Sequence, residues 1–527
     1  MNRMTRRKIV VIGAGIGGLT AASLLAKAGH DVTVLEAHVD PGGCAATFFH
    51  KGYRFDAGAT LVGGFQPGGP HWMAGQALGI EWPVQRTEPA MQVWLPDQSI
   101  TRFGEPARWQ EERHRVFPGA AAERFWRAQE RVADQVWQFA SGAPPFPPVN
   151  AAEVMRLATS IKPSYISLLP YALQSVGAWA DRLGATDPTL RTFLDGQLLI
   201  SAQTTAAGAN ALYGATALDL ARQGVFHVRG GVGQIAETLA AALQRHGGTI
   251  VYRQEVQQIE MEHGRAVAVR TRKQDRWAAD AVIANLTPWN LESLLTGAPP
   301  PAPAAIQPGS MWGAFMLYLG VDEAAIPAGL ASDHHQIIMD PSQPLGEGNS
   351  VFVSLSPAWD STRAPAGRRA ITVSTHTAIA PWWELRNRPG GQAHYEARQA
   401  AYRERLLHAV AQVLPAIRQH LTLEMPGTPV TFQAFTRRHL GMVGGFAQHS
   451  LLSARGPATR VPNVWLVGDS IFPGQSTAGV TLGGLRVSAS LQKTWQQPRQ
   501  LLWKGTSRHE RVDHSDPTRQ RALGNTR

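Results

Sequence analysis

The chain has 527 residues, 44% of them apolar and 17% charged, so it is too apolar for disorder and long enough for two or more domains. Its 52 glycines and 36 prolines follow no period, which excludes a collagenous or low-complexity chain, and one cysteine, Cys44, excludes an intrachain disulfide framework. The net charge of +11 is carried mostly by the two ends: residues 1–8 and 496–527 hold +4 each, and the long body between them only +3. A folded nucleic-acid groove would concentrate charge within the body, so no nucleic-acid partner is expected. Basic ends suit an anionic membrane surface better.

At the amino terminus a basic segment followed by Ile9 to Ala26 superficially imitates a secretory signal. The same residues fit a different unit better. Ile9-Val10-Val11-Ile12 reads as a buried strand, Gly13-Ala14-Gly15-Ile16-Gly17-Gly18 as a G-x-G-x-x-G turn, and Leu19 to Ala28 as a helix stopped by Gly29. Asp31 to Leu35 is a second strand closed by Glu36. Gly13 permits the turn, Gly15 admits a pyrophosphate, and Gly18 lets helix and strand approach, while the helix start offers N–H donors and partial positive charge. Glu36 can accept both ribose hydroxyls, which disfavours a 2′-phosphate. Strand, turn, helix, strand and acid in register specify a dinucleotide site.

Further along, Pro41-Gly42-Gly43 and Phe55-Asp56-Ala57-Gly58 form a glycine-rich return where an NAD domain would continue to its next helix. Arg229-Gly230-Gly231-Val232-Gly233-Gln234 then opens a helix with Ile235, Leu239 and Leu243 on one face. Strands are predicted at 249–252, around Val256 to Ile259, around Val267 and Val269, and at 281–285. Near the end, Asn463 to Val467 runs as a strand into Gly468-Asp469, and Pro473 to Val480 leads into a last helix. These separated segments together resemble the flavoproteins of the amine oxidase and phytoene desaturase superfamily, and most closely its carotenoid desaturase and isomerase branch. The resemblance implies bound FAD, with Gly42 and Gly43 beside the pyrophosphate, Val256 at the adenine, Gly468 and Asp469 at the phosphate or ribityl chain, and Gly479 and Val480 at the flavin. Pro67-Gly68-Gly69 and Gln475-Ser476-Thr477 look most like enzymes acting at the C-3′,4′ bond of acyclic or monocyclic carotenoids.

The expected architecture is therefore an α/β chain. A Rossmann-like, amine oxidase-like FAD-binding domain comes from residues 1–104, 221–299 and 431–495. A discontinuous α+β substrate domain comes from 105–220 and 300–430, and residues 496–527 form a disordered basic tail. Within the substrate part, Ala120 to Ala140 reads as a helix with Phe125, Val132, Val136 and Phe139 on one face. Pro163 to Ala180 has no charge but is short for a membrane span and carries Pro170, so it reads as a core or tunnel helix or as an interfacial segment. Runs around Trp312 to Leu319, Phe352 to Leu355 and Ile371 to Val373 read as sheet core rather than tunnel wall.

No Ser-His-Asp order, metal-binding His pair or phosphate loop of the P-loop type stands out, and no metal is expected. The catalytic residue is unassigned; His227 and Arg229, which precede the second glycine cluster, are read as structural. Cys44 is read as a small buried filler, and with no other cysteine the FAD is expected to be noncovalent. The resemblance implies an FAD-dependent carotenoid desaturase using oxygen or a quinone as electron acceptor, cytoplasmic and resting on a membrane surface. The alternatives are a carotene cis–trans isomerase using reduced flavin and a nonenzymatic lipid or prenyl carrier on the same fold.

Overall fold

Lys8–Ile12 is buried from Ile9 onward and sits inside a five-stranded parallel sheet, the environment that an unbroken apolar run requires. The sheet order is Val464–Leu466, Ala281–Ala284, Lys8–Ile12, Asp31–Leu35 and Thr249–Val251, so its strands are drawn from the beginning, middle and end of the chain. The molecule is described by a computed structural model covering residues 6–142, 144–148, 150–297 and 311–496; the predicted basic tail lies almost wholly outside them. Helix Ile16–Lys27 is buried on nearly every side, between helices Gln234–Arg245 and Thr477–Gln496. Small residues make that possible: a side chain on Gly484 would start 2.6 Å from the Gly17 carbonyl oxygen. A meander of Val256–Glu262, Arg265–Thr271 and Arg276–Ala278 is pinned to this sheet by Asn463, whose amide exchanges hydrogen bonds of 2.9 and 2.7 Å with the Ala266 backbone.

The second sheet has seven strands, in the order Leu421–Gly427, Gly313–Asp322, Arg368–Thr377, Ser350–Leu355, His334–Ile338, Met91–Trp94 and Ser99–Arg102. Alternation along its strands separates two faces. Phe315, Leu317, Leu319, Val351, Val353 and Val373 form one core with helix Gln392–Val410. Met316, Tyr318, Phe352, Ser374 and His376 face the other way. The last two strands of this sheet fall within the span 1–104 expected for the FAD part. They join the second sheet because Met91, Val93 and Ile100 pack with a helical core around Phe125, Trp126, Trp179 and Phe193.

Helix Ala120–Ser141 matches its sequence pattern: Phe125 and Val132 are buried, while Val136 and Phe139 reach a cavity. Pro163 to Ala180 is not one helix. It is a 3₁₀ segment Pro163–Leu168, a short turn of helix Leu169–Ala172, and helix Val176–Arg182 capped by Ser175. Pro163 and Pro170 each begin a piece, since proline fits a first turn and breaks an interior one.

Candidate functional site

The first glycine turn is built for contact. Gly13 has φ +93° and donates its N–H to the Leu35 carbonyl at 2.8 Å, tying turn to second strand. A side chain on Gly18 would begin 2.7 Å from the Gly13 oxygen, and one on Gly15 would begin 2.2 Å from Asn285 Nδ2. Gly15 is also the cap of helix Ile16–Lys27 and supplies no side-chain acceptor, so the first-turn N–H groups are open to a phosphate. Glu36 stands beside them: its two carboxylate oxygens accept from the N–H groups of Ala14 and His38, each at 2.7 Å. Gly42, at φ +111°, donates to the Ala14 carbonyl at 2.9 Å and brings Gly43 and Cys44 to the same wall. This cradle fits the FAD pyrophosphate and ribose, and Val256 lines its far end.

Asn285, at the end of strand Ala281–Ala284, joins this turn to the carboxyl-terminal segment. Its Nδ2 faces Gly15, and its Oδ1 lies 2.7 Å from where a Gly468 side chain would start. Asp469 forms an ion pair with Arg438 at 3.0 Å, and Arg438 Nε donates to the Met442 carbonyl. Burial works against the Arg438 charge, but Asp469 and then Cys44 outweigh it and raise the guanidinium above its ordinary range. Burial pushes the Cys44 thiol up, with Arg438 offsetting only part, so this cysteine is a poor nucleophile. It is half-buried on the cavity wall rather than a core filler, because the Gly42–Gly43 turn carries it there. Gly479 and Val480 lie in the first turn of helix Thr477–Gln496, where Gly479 N–H donates to Ser476 Oγ at 2.9 Å.

The predicted site residues other than Gly18 line one cavity of about 1840 Å³, as do Asn285 and Arg438; Gly18 instead packs behind it, against the Gly13 carbonyl. A single small-molecule pocket is roughly 300–1,000 Å³, so a dinucleotide leaves room for a second long ligand. The arm beyond the glycine cradle is walled by Phe139, Phe146, Leu157, Tyr165, Leu168 and Phe472. The strands expected to be plain core serve both purposes: Phe315, Leu355 and Val373 are core, whereas Phe352, Met316 and Tyr318 line the cavity. Next to the arm, Met155, Ile166, Leu169 and Leu173 are 63–80% exposed, an unusual density of bare apolar side chains for a protein surface. No helix among the described residues is long and apolar enough to cross a membrane.

His227 and Arg229 stand apart from the cavity wall. His227 stacks on His334 at 4.9 Å and places Nε2 3.2 Å from Asp333, while Arg229 lies over Trp359. Asn285, Arg438, Gln203 and His376 are cavity residues that the sequence pattern did not single out. Only Asn285 had a signal, as the polar residue closing a buried strand.

The fold and cradle together define an FAD-dependent oxidoreductase. The chain belongs to the flavin containing amine oxidoreductase family, whose profile matches residues 16–491. It is 29% identical to the chloroplastic prolycopene isomerase of Arabidopsis thaliana, over 92% of this chain and 82% of that one. It is 25% identical to a neurosporene-forming phytoene desaturase of Cereibacter sphaeroides, over 92% of this chain and 94% of the relative. These relatives bear out the resemblance to the carotenoid desaturase and isomerase branch. Among solved structures, an oxidoreductase from Methanosarcina mazei superposes with a TM-score of 0.60 at 19% identity, covering 92% of this chain and all of that one, which establishes the fold.

Proposed function

We propose that the protein is a carotenoid desaturase that draws an acyclic or monocyclic carotenoid from a membrane surface and introduces a double bond at C-3′,4′. The observation that carries this reading is the single cavity, with a dinucleotide cradle at one end and an apolar arm beside exposed apolar side chains at the other. A polyene is almost wholly apolar and barely exists free in water, so its entrance belongs at a lipid surface. Met155, Ile166, Leu169 and Leu173 would sit among acyl chains, with the exposed Lys162 at the headgroups. When bound, FAD supplies a two-electron acceptor for hydride, oxygen or a quinone being the final acceptor. The chain itself holds the phosphates at the Ile16–Lys27 helix start, accepts ribose hydroxyls on Glu36, and keeps the apolar arm dry. The two motifs that suggested C-3′,4′ meet in space: His71, just after Pro67-Gly68-Gly69, places Nε2 3.1 Å from Thr477 Oγ1.

A cis–trans isomerase is the second reading, favoured by the prolycopene isomerase relatives. The test is to give the purified flavoprotein carotenoids in anionic liposomes under nitrogen. Loss of oxidised flavin absorbance with a red-shifted polyene supports desaturation, and the substrate that reacts identifies the bond. A product with rearranged geometry and no added double bond supports the isomerase. Leu169→Glu with Leu173→Glu should abolish liposome capture while leaving flavin content intact; undiminished capture removes the membrane-entry proposal.

A further inference from the structure

The cavity-facing side of the second sheet is not uniformly apolar. His376 lies on that face, in the register position opposite Ala314, and lines the cavity. Its Nε2 is 3.3 Å from Gln203 Nε2, and its ring meets Trp312 edge-on at 5.7 Å. Gln203 is 4% exposed, holds a left-handed backbone at φ +59°, and accepts Trp312 Nε1–H on its carbonyl at 3.0 Å. Its side-chain Oε1 is buried with no hydrogen-bond partner. An orphan amide oxygen is costly and needs a reason.

The neighbouring loop shows where this pair sits. Gln203 Nε2 and Gln475 Oε1 both lie within 2.7 Å of the point where a side chain on Gly444 would begin, and Gly445 abuts the backbone of Asp469. Gln475 belongs to the loop that opens helix Thr477–Gln496, so Gln203 stands between His376 and the segment expected at the flavin, and all three line the cavity. We propose that His376 is the base that takes the proton during desaturation, with Gln203 as the positioning residue that sets its tautomer; the proposal rests on the desaturase reading.

The balance is as follows. One carbon loses hydrogen as hydride, its two electrons passing to the oxidised flavin. At the adjacent carbon the C–H electron pair forms the new π bond, and the proton goes to the imidazole. A C–H bond beside an electron-deficient carbon within a polyene is acidic, so a weak base suffices. A half-turn of the Gln203 amide brings Oε1 against Nε2–H, leaving the Nδ1 lone pair as acceptor. After proton transfer the same Oε1 still accepts from the imidazolium Nε2–H.

The surroundings keep the ring neutral beforehand. Burial lowers the His376 pKa to about 4. Trp312 and Ala314 on one neighbouring strand, Ser350 on the other, Gln203, Gln475 and Gly444 are all uncharged. Glu347, whose backbone N–H donates to the His376 carbonyl at 2.7 Å, has its carboxylate taken by Thr377 Oγ1, the Ala378 N–H and Arg398. Asp469, beyond Gly445, is paired to Arg438. A ring that is neutral at pH 7 serves as base and not as acid, which suits desaturation over isomerisation by protonation.

The test compares the flavoprotein with its His376→Gln, His376→Ala and Gln203→Leu variants in single turnovers on carotenoid liposomes under nitrogen. Flavin content and carotenoid affinity, read from the polyene spectrum, should stay within about twofold. The rate of dehydrogenated product should fall about 10²-fold or more in both His376 variants, the range for losing a general base. Gln203→Leu should lie between them and the parent. Added imidazole should restore His376→Ala by occupying the vacated space, which a structural histidine would not allow. Normal rates in His376→Gln, or lost rates without imidazole rescue, overturn the assignment while leaving desaturation standing. A parent protein that produces no new double bond overturns the desaturase reading itself, and the base with it.

Discussion

Three imidazoles are buried in forms that cannot hold a proton, and acid should therefore unfold this protein early. His71 is stacked on Phe65 between Thr477 and Thr481, and burial lowers its pKa to about 3. Burial, followed by the neighbouring His227, lowers His334 to about 3, and burial lowers His335 to about 4. Because each folded pKa lies below the ordinary 6.5, the unfolded chain binds more protons as pH drops below 6.5. Stability is thus complete above that pH and lost on descent toward the folded values. At pH 5 the descent is 1.5 units, and at ~1.4 kcal/mol per unit each ring removes about 2 kcal/mol, or about 6 kcal/mol for the three. That is comparable with the whole stability of a typical domain, about 5–15 kcal/mol. Half-buried His376 adds to the same slope, and the lowered carboxylates Glu112 and Asp333 titrate below this window. The assay is denaturant unfolding followed by tryptophan fluorescence at constant ionic strength from pH 8 to 5. A slope approaching four protons near pH 5, one for each of these rings and His376, is expected, and His335→Gln should reduce it by one. A midpoint that does not move between pH 6.5 and 5 would refute the reasoning.

Gly15→Ala would put a methyl group 2.2 Å from Asn285 Nδ2, so the purified variant should carry at most about a tenth of the normal flavin; adding Asn285→Gly should restore part of it. Glu36→Ala removes a charged acceptor of hydrogen bonds worth about 1.5–3 kcal/mol each, and FAD titrated into apoprotein should bind at least tenfold more weakly. Arg438→Leu strands the largely buried Asp469, which should cost about 3–5 kcal/mol in chemical denaturation, whereas Arg438→Leu with Asp469→Asn should cost clearly less.

The amino-terminal cradle was legible because its parts are contiguous: Gly13 to Glu36 encode turn, helix, strand and acid within one short unit, and each residue type has a local reason. The carboxyl-terminal Gly468-Asp469 was readable for the same cause. Asn285 was marked only as the polar end of a buried strand, because its role arises when strands 180 residues apart are paired, and Arg438, in a loop with no local pattern, shows its role only once Asp469 is brought beside it. His376 was hidden differently. Its strand alternates from Ile371 to Ser374, but alternation tells two faces apart without telling which of them meets a cavity. The hairpin from Met91 to Arg102 was not read from the sequence, and its sheet partner, His334–Ile338, lies far along the chain. Pro163 to Ala180 carried its own warning in Pro170, which starts a new helical piece rather than bending an old one.

The order of strands in the parallel sheet has a consequence for synthesis. Ala281–Ala284 pairs on one side with Lys8–Ile12, which is made before it, but its other neighbour, Val464–Leu466, follows 180 residues later. At about 5–20 residues per second, that edge stands open for about 9–36 s. An unpaired, fully apolar strand edge is a template for wrong pairing, so the nascent chain is most exposed to aggregation in the interval before its last strand arrives. Slower elongation over residues 285–463 should lower the yield of folded flavoprotein, and holdase chaperones acting in that interval should raise it.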